Sequence, residues 1–377
     1  MKLNTVQFQE ACKTILMAVD NSVASLELNT DNGILYLNVT NREYYVSVKF
    51  KLDPSETDAF RVVVDASTFL NLVSGITTET FELVNNTTNL SIKTGQSSYK
   101  LPITYENSTM ITLPKIELTN HSVDMTISLD VLKSILTENS KALQMAKGAV
   151  AFNELQKLYY LSQDGCFTFT TCACMNEFTL EKPINILLNE RIVKLFKLFK
   201  EDVSFSFGHD QTPTGKTQSK VIFDTTDVYV AAVIVNDSIL LSKINGPYAA
   251  TKQYMQDKYA NNIVVSVPEF NAAISRLIMV NRSNPDNKSN SVVNAAFRVE
   301  SDTVSISDKV KNTEVINIAN QSSVLPGGYN MILNLVELKL VLSTCKDPFV
   351  TLNCGNGKSV IIRHGTVSNL IGEKDQL

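Results

Sequence analysis

A chain of 377 residues is too long for one ordinary hydrophobic core and fits two or three domains. Hydrophobic residues make up 44% and charged residues 19%, the balance of a soluble globular protein, and no run approaches the roughly 18 apolar residues of a membrane span. A net charge of −4 excludes a generally basic nucleic-acid binder, so any contact with phosphate has to come from a local patch.

The N-terminus carries Gln7, Gln9, Glu10 and Lys13 where a signal peptide would need an apolar run. The first helical pattern puts Phe8, Ala11, Cys12, Ile15, Leu16 and Val19 on one face. Alternating β-branched runs follow at Ser25–Leu28, Ile34–Thr40, Tyr44–Phe50 and Arg61–Val64. Asn32-Gly33 between the first two is a hairpin signal, because a type I′ turn needs positive φ. Asp65 then caps a second helix carrying Phe69, Leu70, Val73 and Ile76, and strands at Thr80–Val84, Leu90–Lys93 and Ser98–Ile103 come next.

The order begins again at Ser128, which caps a helix with Leu132, Ile135 and Leu136. Strands follow at Leu158–Ser162 and Phe167–Thr171, then the stretch Leu187–Glu201. There Ile192, Leu195, Phe196 and Phe199 fall at i, i+3, i+4 and i+7, one face of a helix that Asn189 can cap. Arg191, Lys194, Lys197 and Lys200 recur every third residue, and Lys194 and Lys197 point away from the apolar stripe. In isolation such a face is an ordinary solvated one. Strands close this unit at Val203–Phe207, Ser219–Phe223 and Val228–Ile234.

A third round opens on the capping box Ser266…Glu269, with Phe270, Ala273, Ile274, Leu277 and Ile278 as its stripe. Strands at Ala295–Val299 and Val304–Ser307 precede a helix opened by Asn334 and Glu337, with Leu338, Val341, Leu342 and Cys345 on its face. Phe349–Asn353 and Ser359–Arg363 are the last predicted strands. Six helices therefore start near residues 6, 66, 129, 190, 268 and 335, in steps of 60, 63, 61, 78 and 67. Each is followed by antiparallel strands. The units pair into three domains of about 120 residues, bounded at 1–121, 122–250 and 251–377. Pro114–Val123 and Leu241–Asn262, the latter with Gly246-Pro247, read as the linkers.

Such a unit packs helices on one side and strands on the other, giving an α+β fold class. Three in a row make an arc whose helices share its concave side when the sheets run edge to edge. The ends of the arc expose unpaired strands, templates for a second copy, and head-to-tail joining closes a ring where the rotation allows. Met279 lies opposite the Phe270–Ile274–Leu277 stripe, as an interface residue or as one exposed apolar residue of the common kind.

Three stretches carry a family resemblance. Residues 26–50, LELNTDNGILYLNVTNREYYVSVKF, with the turn Thr40-Asn41-Arg42-Glu43, are similar to the first hairpins of the bacterial β sliding clamp, the processivity factor of DNA polymerase. FRVVVDASTFLNLVSGI resembles the strand and second helix that follow in that family, and YNMILNLVELKLVLSTC resembles its third-domain "FN…YLLDAL" segment, with Leu333-Asn334 in place of Phe-Asn. Each motif is weak, but their order is strong and spans nearly the whole chain, and the chain resembles a bacteriophage version of that clamp. The resemblance implies three tandem clamp domains, each of two helices against antiparallel sheets. It further implies a dimer forming a six-domain ring around duplex DNA, with no chemistry, cofactor or metal. A replicative polymerase is tethered, a separate clamp loader opens the ring, and the location is the cytoplasm of a bacterial host.

On that basis Lys133, Lys141, Lys147, Arg191, Lys194, Lys197, Arg276 and Lys339 are the expected inner-face charges. Sliding needs attraction to phosphate without base reading, and lysine is a flexible, hydrated point charge. The first domain has only Lys13 on its first helix and no basic residue over 66–76, so the second domain should dominate DNA contact. The family's partner pocket, carried over by position, would use Leu155, Thr171, Met175, Pro247, Tyr248, Asn334, Ile361 and Ile362. Cys172-Ala173-Cys174-Met175 lacks the family's Asp–Gly–His–Arg, Glu337 replaces an aromatic, and His364–Leu377 reads as an extension past the last strand. The joining surface is expected on Phe69, Ile76, Tyr99, Leu101, Ile278 and Met279.

Other signals are weaker. Gly215-Lys216-Thr217 imitates a P-loop, but Asp210 stands where the first glycine belongs and a strand follows, so it reads as a hairpin loop. The six cysteines, at 12, 166, 172, 174, 345 and 354, read as reduced buried thiols, and Cys166, Cys172 and Cys174 lack the paired ligands of a zinc site. The alternative of a phage structural protein of repeated β-rich domains leaves the lysine-bearing helix face without a use. A nuclease would require clustered acidic ligands, which the sequence does not display.

Overall fold

The computed structural model describes residues 1–56, 59–106, 109–140, 158–169, 172–212, 214–283, 292–323 (backbone only for 321–323) and 328–377. Among them are seven helices: α1 (Thr5–Leu16), α2 (Ala66–Ser74), α3 (Leu129–Ser134, running into a π-helical turn at Ile135–Asn139), α4 (Glu190–Lys194, tightening into a 3₁₀ turn at Leu195–Leu198), α5 (Ser238–Gln256), α6 (Val267–Ser283) and α7 (Leu335–Thr344). Six of these begin at or within one residue of the starts expected from the apolar repeat. Their caps follow the sequence: Asp65 Oδ1 accepts from Thr68 N at 2.7 Å and Asn334 Oδ1 from Val336 N at 2.9 Å.

The chain forms two compact units, each assembled from two stretches. The first holds Met1–Leu132 and Arg191–Val235. Its main feature is an eight-stranded antiparallel sheet, in the order His121–Ile127, Val203–Gln211, Thr217–Asp224, Val228–Ile234, Tyr44–Lys51, Ile34–Thr40, Ser25–Asp31, Arg61–Asp65. The join between distant segments is Val228–Ile234 on Tyr44–Lys51, in register from Val228↔Val48 to Ala232↔Tyr44. The Asn32-Gly33 turn has φ of 50° and 75°, as a type I′ hairpin requires. A second sheet runs Lys2–Asn4, Thr80–Asn85, Asn89–Thr94, Ser97–Pro102. Phe8 of α1 packs edge-on against Phe50 at 5.3 Å and Phe69 of α2 at 6.4 Å, so both helices seat on the sheets through aromatic rings.

The second unit holds Lys133–Glu190 and Asn236–Leu377. Its twelve strands run Asn185–Asn189, Leu158–Ser162, Gly165–Phe169, Ala173–Glu177, Val367–Gly372, Ser359–His364, Phe349–Cys354, Asn261–Ser266, Thr313–Ser323, Thr303–Ser307, Asn294–Val299, Tyr329–Asn334. Here the long-range join is Ala173–Glu177 on Val367–Gly372. Phe270, Ala273, Ile274 and Leu277 of α6 and Leu338, Val341 and Leu342 of α7 share one core with Phe297.

Two segments hold more structure than the sequence reading gave them. Leu241–Asn262, read as a linker, is largely helical: α5 occupies most of it, capped by Asp237 Oδ1, which accepts from Ile239 N at 2.6 Å. Gly246-Pro247 signalled a break, yet Leu240, Leu241, Ile244, Tyr248 and Met255 form a helical stripe that packs, and packing outweighs propensity. The segment after Arg363 is not an appendage. Gly365 (φ +53°) turns the chain into Val367–Gly372, a strand buried between two others, whose Ser368 and Asn369 hid it from a search for apolar alternation.

One carboxylate helps latch the segment before His121 to the rest of the first unit, beside bonds such as Lys220 Nζ to Glu117 O at 2.6 Å. Asp210 accepts backbone N–H bonds from Thr119 (3.1 Å) and Asn120 (3.0 Å) and pairs with Lys220 Nζ at 2.9 Å. The lysine bond, opposed by burial and helped by the two amides, pushes the Asp210 carboxyl down to about 2. A depressed folded-state value means stabilisation that is present above the unfolded carboxylate range near ~4 and lost as pH falls through it. The gap in unfolding temperature between wild type and Asp210→Asn should therefore be full at pH 7 and close between about pH 4 and 2. A gap independent of pH would show that the latch does not act through this charge.

Candidate nucleic-acid interface and partner pocket

The cationic row is built by a change of helix type. α4 gives way at Leu195 to a 3₁₀ turn, so Ile192, Val193, Leu195, Phe196, Leu198 and Phe199 are buried while Arg191, Lys194, Lys197 and Lys200 are exposed. Phe196 and Phe199 hold this segment down, with ring centroids 5.1 and 6.0 Å from Phe223. A 3₁₀ turn has three residues per turn, so side chains three apart eclipse and Lys194 and Lys197 lie in line, about 6 Å apart along the axis. The row belongs to the first unit.

Arg191 is not an open charge. Its Nη1 donates to Glu43 Oε1 at 3.0 Å, and Asp20 lies within electrostatic reach. Arg276 is held more firmly: Nε and Nη2 each donate to the Glu314 carboxylate at 2.7 Å, and this fork holds Glu314 below its ordinary value. Lys133 is exposed on α3 and Lys339 is half-buried on α7. Lys141 and Lys147 lie outside the described residues. A cleft of ≈ 870 Å³ in the first unit is lined by Lys2, Lys51 and Lys200 but also by Glu10, Glu56 and Asp227, so its charge is mixed.

The expected pocket residues separate into two groups within the second unit. Met175 and Tyr248 belong to one apolar cluster with Leu158, Tyr160, Phe167, Leu187 and Ile244. Tyr248 meets Tyr160 and Phe167 edge-on at 5.0 and 5.5 Å. Pro247 sits beside it, half-buried inside α5. Ile361 pairs with Leu370, which packs on the same cluster. Ile362 instead joins the α6–α7 core, and buried Asn334 caps α7. Leu155 and Thr171 lie outside the described residues. The sequence missed Leu240, Leu241 and Ile244: their i, i+1, i+4 spacing is a helical signal, but Gly246-Pro247 overrode it and the floor they pack on is distant in sequence.

For the joining surface, Phe69, Ile76, Leu101 and Ile278 are buried in the chain's own cores, whereas Tyr99 is 44% and Met279 69% exposed. Tyr99 lies on Ser97–Pro102, the outermost strand of its sheet. Thr313–Asn317 pairs on one side with Thr303–Ser307, while Asn261–Ser266 reaches the same long strand only from Ile318 onward. Among the described residues that half-strand therefore has one open side, with Val315 and, near it, Val310 exposed. Gly215-Lys216-Thr217 sits in the hairpin between Val203–Gln211 and Thr217–Asp224, not before a helix.

No known family model and no curated protein sequence matches the chain. Solved structures do. The DNA polymerase III β chain of Streptococcus pneumoniae superposes with a TM-score of 0.76 at 15% identity, covering 100% of this chain and 99% of that one. The DNA polymerase sliding clamp of Bacillus subtilis gives 0.74 at 14%, with 100% and 99% covered. A Helicobacter pylori β clamp bound to a DNA ligase peptide gives 0.71 at 14%, with 99% of each covered. The chain has the β-clamp fold over its full length.

If Arg191 is withheld by Glu43, Glu43→Gln should release it. Duplex binding should then show a salt slope steeper by about 0.9 for the added phosphate contact. A slope unchanged from wild type would mean that Arg191 does not reach phosphate.

Proposed function

We propose that this chain is a DNA sliding clamp: two copies close a six-domain ring around duplex DNA, bind it without regard to sequence, and tether a replicative polymerase. The observation that carries this reading is the full-length match to β-clamp structures, including bacterial DNA polymerase III β chains. The in-line lysines of the 3₁₀ turn add a mechanism. Hydrated point charges attract phosphates while forming no directional bond that has to break at each step. On this reading Lys133, Lys194, Lys197 and Lys339 face the duplex, together with Lys141 and Lys147, and Arg191 contributes once its carboxylate releases it.

Three tandem domains, 1–121, 122–250 and 251–377, form each half of the ring. Copies join along the two open strand edges, Ser97–Pro102 and Thr313–Asn317, with Tyr99, Met279 and Val315 at the seam. On this reading Arg276, paired with Glu314, belongs to the seam and not to the inner face. Strand addition supplies backbone hydrogen bonds and exposed apolar side chains supply contact area. A loader opens the seam. Client proteins dock apolar peptide tails on the cluster around Met175 and Tyr248, as a ligase peptide binds the Helicobacter pylori clamp. The protein performs no bond chemistry of its own. No helix among the described residues is long and apolar enough to cross a membrane, and the reading assigns the work to the cytoplasm.

A topological clamp stays on closed circular DNA and runs off the same circle once it is linearised. Equal loss from both forms would discard the ring. Sedimentation should give about twice 41.7 kDa at micromolar concentration, and a strict monomer would argue against closure. Lys194→Glu with Lys197→Glu should flatten the salt slope by about 0.9 per lost contact. An unchanged slope would remove these lysines from the interface.

A further inference from the structure

α5 sits on apolar surface that could serve another purpose. The floor is Leu158, Tyr160, Phe167, Ala173, Met175 and Leu187, and the helix covers it with Ile244 fully and with Leu240, Leu241, Tyr248 and Met255 in part. The two halves of the helix are held differently. In the C-terminal half Lys252 Nζ pairs with Asp164 at 2.6 Å, Tyr248 Oη lies 3.2 Å from Ser162 Oγ, and Arg363 Nη2 donates to Met255 O at 2.8 Å. Tyr259 Oη donates to Tyr254 O at 3.1 Å and lies 3.2 Å from Ser359 Oγ. In the N-terminal half, Ser238–Asn245, no polar side chain bonds to another element among the described residues. Its attachment is apolar, and Ile239 is 63% exposed.

Between the halves stand Gly246 and Pro247, the two weakest helix formers. Pro247 has no N–H for the carbonyl of Lys243, so the ladder is interrupted where the polar tethers begin. A helix anchored at one end, interrupted in the middle and seated by apolar contact at the other can open locally without unfolding the unit.

We propose that Ser238–Asn245 is a lid that hinges at Gly246-Pro247 and occupies, in cis, an apolar peptide groove that a client's tail enters only when the lid leaves. This rests on the peptide-docking reading above, and it adds that the groove is closed at rest. The client must compete with the chain's own Leu240, Leu241 and Ile244. It is therefore an apolar segment that buries comparable side chains, and its apparent affinity is reduced by the fraction of time the lid is shut.

The test uses the full-length protein. Hydrogen exchange should find the amides of 241–246 exchanging at least about tenfold faster than those of 251–256. A fluorescein-labelled peptide of residues 237–250, added in trans as the probe, should bind wild type weakly. It should bind Ile244→Asp at least about tenfold more tightly, because a charge in the apolar floor expels the lid. Gly246→Ala with Pro247→Ala, which restores the ladder, should slow exchange in the N-terminal half and weaken probe binding. Uniform exchange along α5 would overturn the lid, as would no gain of probe affinity in a folded Ile244→Asp. Should that variant fail to fold, exchange in wild type and in the alanine pair decides. Retention on circular DNA reads the clamp separately: wild type that slides normally with uniform exchange loses the lid and keeps the ring.

Discussion

Backbone hydrogen bonding between strands far apart in sequence is the constraint on which each unit depends. In the first unit Val228–Ile234 pairs with Tyr44–Lys51, and in the second Ala173–Glu177 pairs with Val367–Gly372. Each join turns two sets of strands into one continuous sheet, so every interior strand has both edges satisfied and an open edge survives only at an end or a partial overlap. The long strand Thr313–Ser323 is such an overlap: its second half is covered by Asn261–Ser266 and its first half is not. The rule that stabilises the sheets therefore also decides where another chain can add.

Helices are the other half of that arrangement. A sheet with one face covered needs an apolar stripe laid across it, and α1, α2, α6 and α7 provide it with Phe8, Phe69, Phe270 and Leu338. The remaining face of each helix is unconstrained by packing, so its residues are available for function. In the segment after α4 this freedom has been narrowed. Two buried residues between each successive pair of cations, a strict repeat of three, suit a three-residue turn better than a 3.6-residue one, and the backbone tightens to match at Leu195–Leu198.

Helix starts and most strands were legible because caps and apolar spacing are local signals. Asp65 and Asn334 act within three residues of themselves, and Asn32-Gly33 needs no tertiary partner. What was not legible depends on partners distant in sequence. α5 was hidden by Gly246-Pro247 because the favourable term, Ile244 against a floor built from residues 158–187, cannot be seen from the helix itself. Val367–Gly372 was hidden because Ser368 and Asn369 are buried between strands whose existence had first to be known. Among the site residues, exposure of Lys194 and Lys197 followed directly from helical phase. The carboxylates on Arg191 and Arg276 come from Glu43 and Glu314, 148 and 38 residues away, and no spacing rule reaches them.

Those two pairs show how arginine is used here, while the lysines divide: Lys49, Lys220 and Lys252 pair with Asp224, Asp210 and Asp164, and Lys133, Lys194 and Lys197 are exposed. Arg276 puts both arms of its guanidinium fork on Glu314, and Arg61, Arg191 and Arg298 each hold one carboxylate oxygen of Glu27, Glu43 and Glu300. A planar fork gains most from a partner of fixed geometry, and a folded chain supplies one permanently. A partner that moves past supplies none, and a bidentate bond would have to break at every step. Lysine loses less, since its ammonium stays hydrated and its stem follows the moving charge. On the clamp reading, the chain-paired Arg61, Arg276 and Arg298 and the exposed Lys194 and Lys197 answer one requirement: the ring has to hold its own shape rigidly while holding DNA loosely.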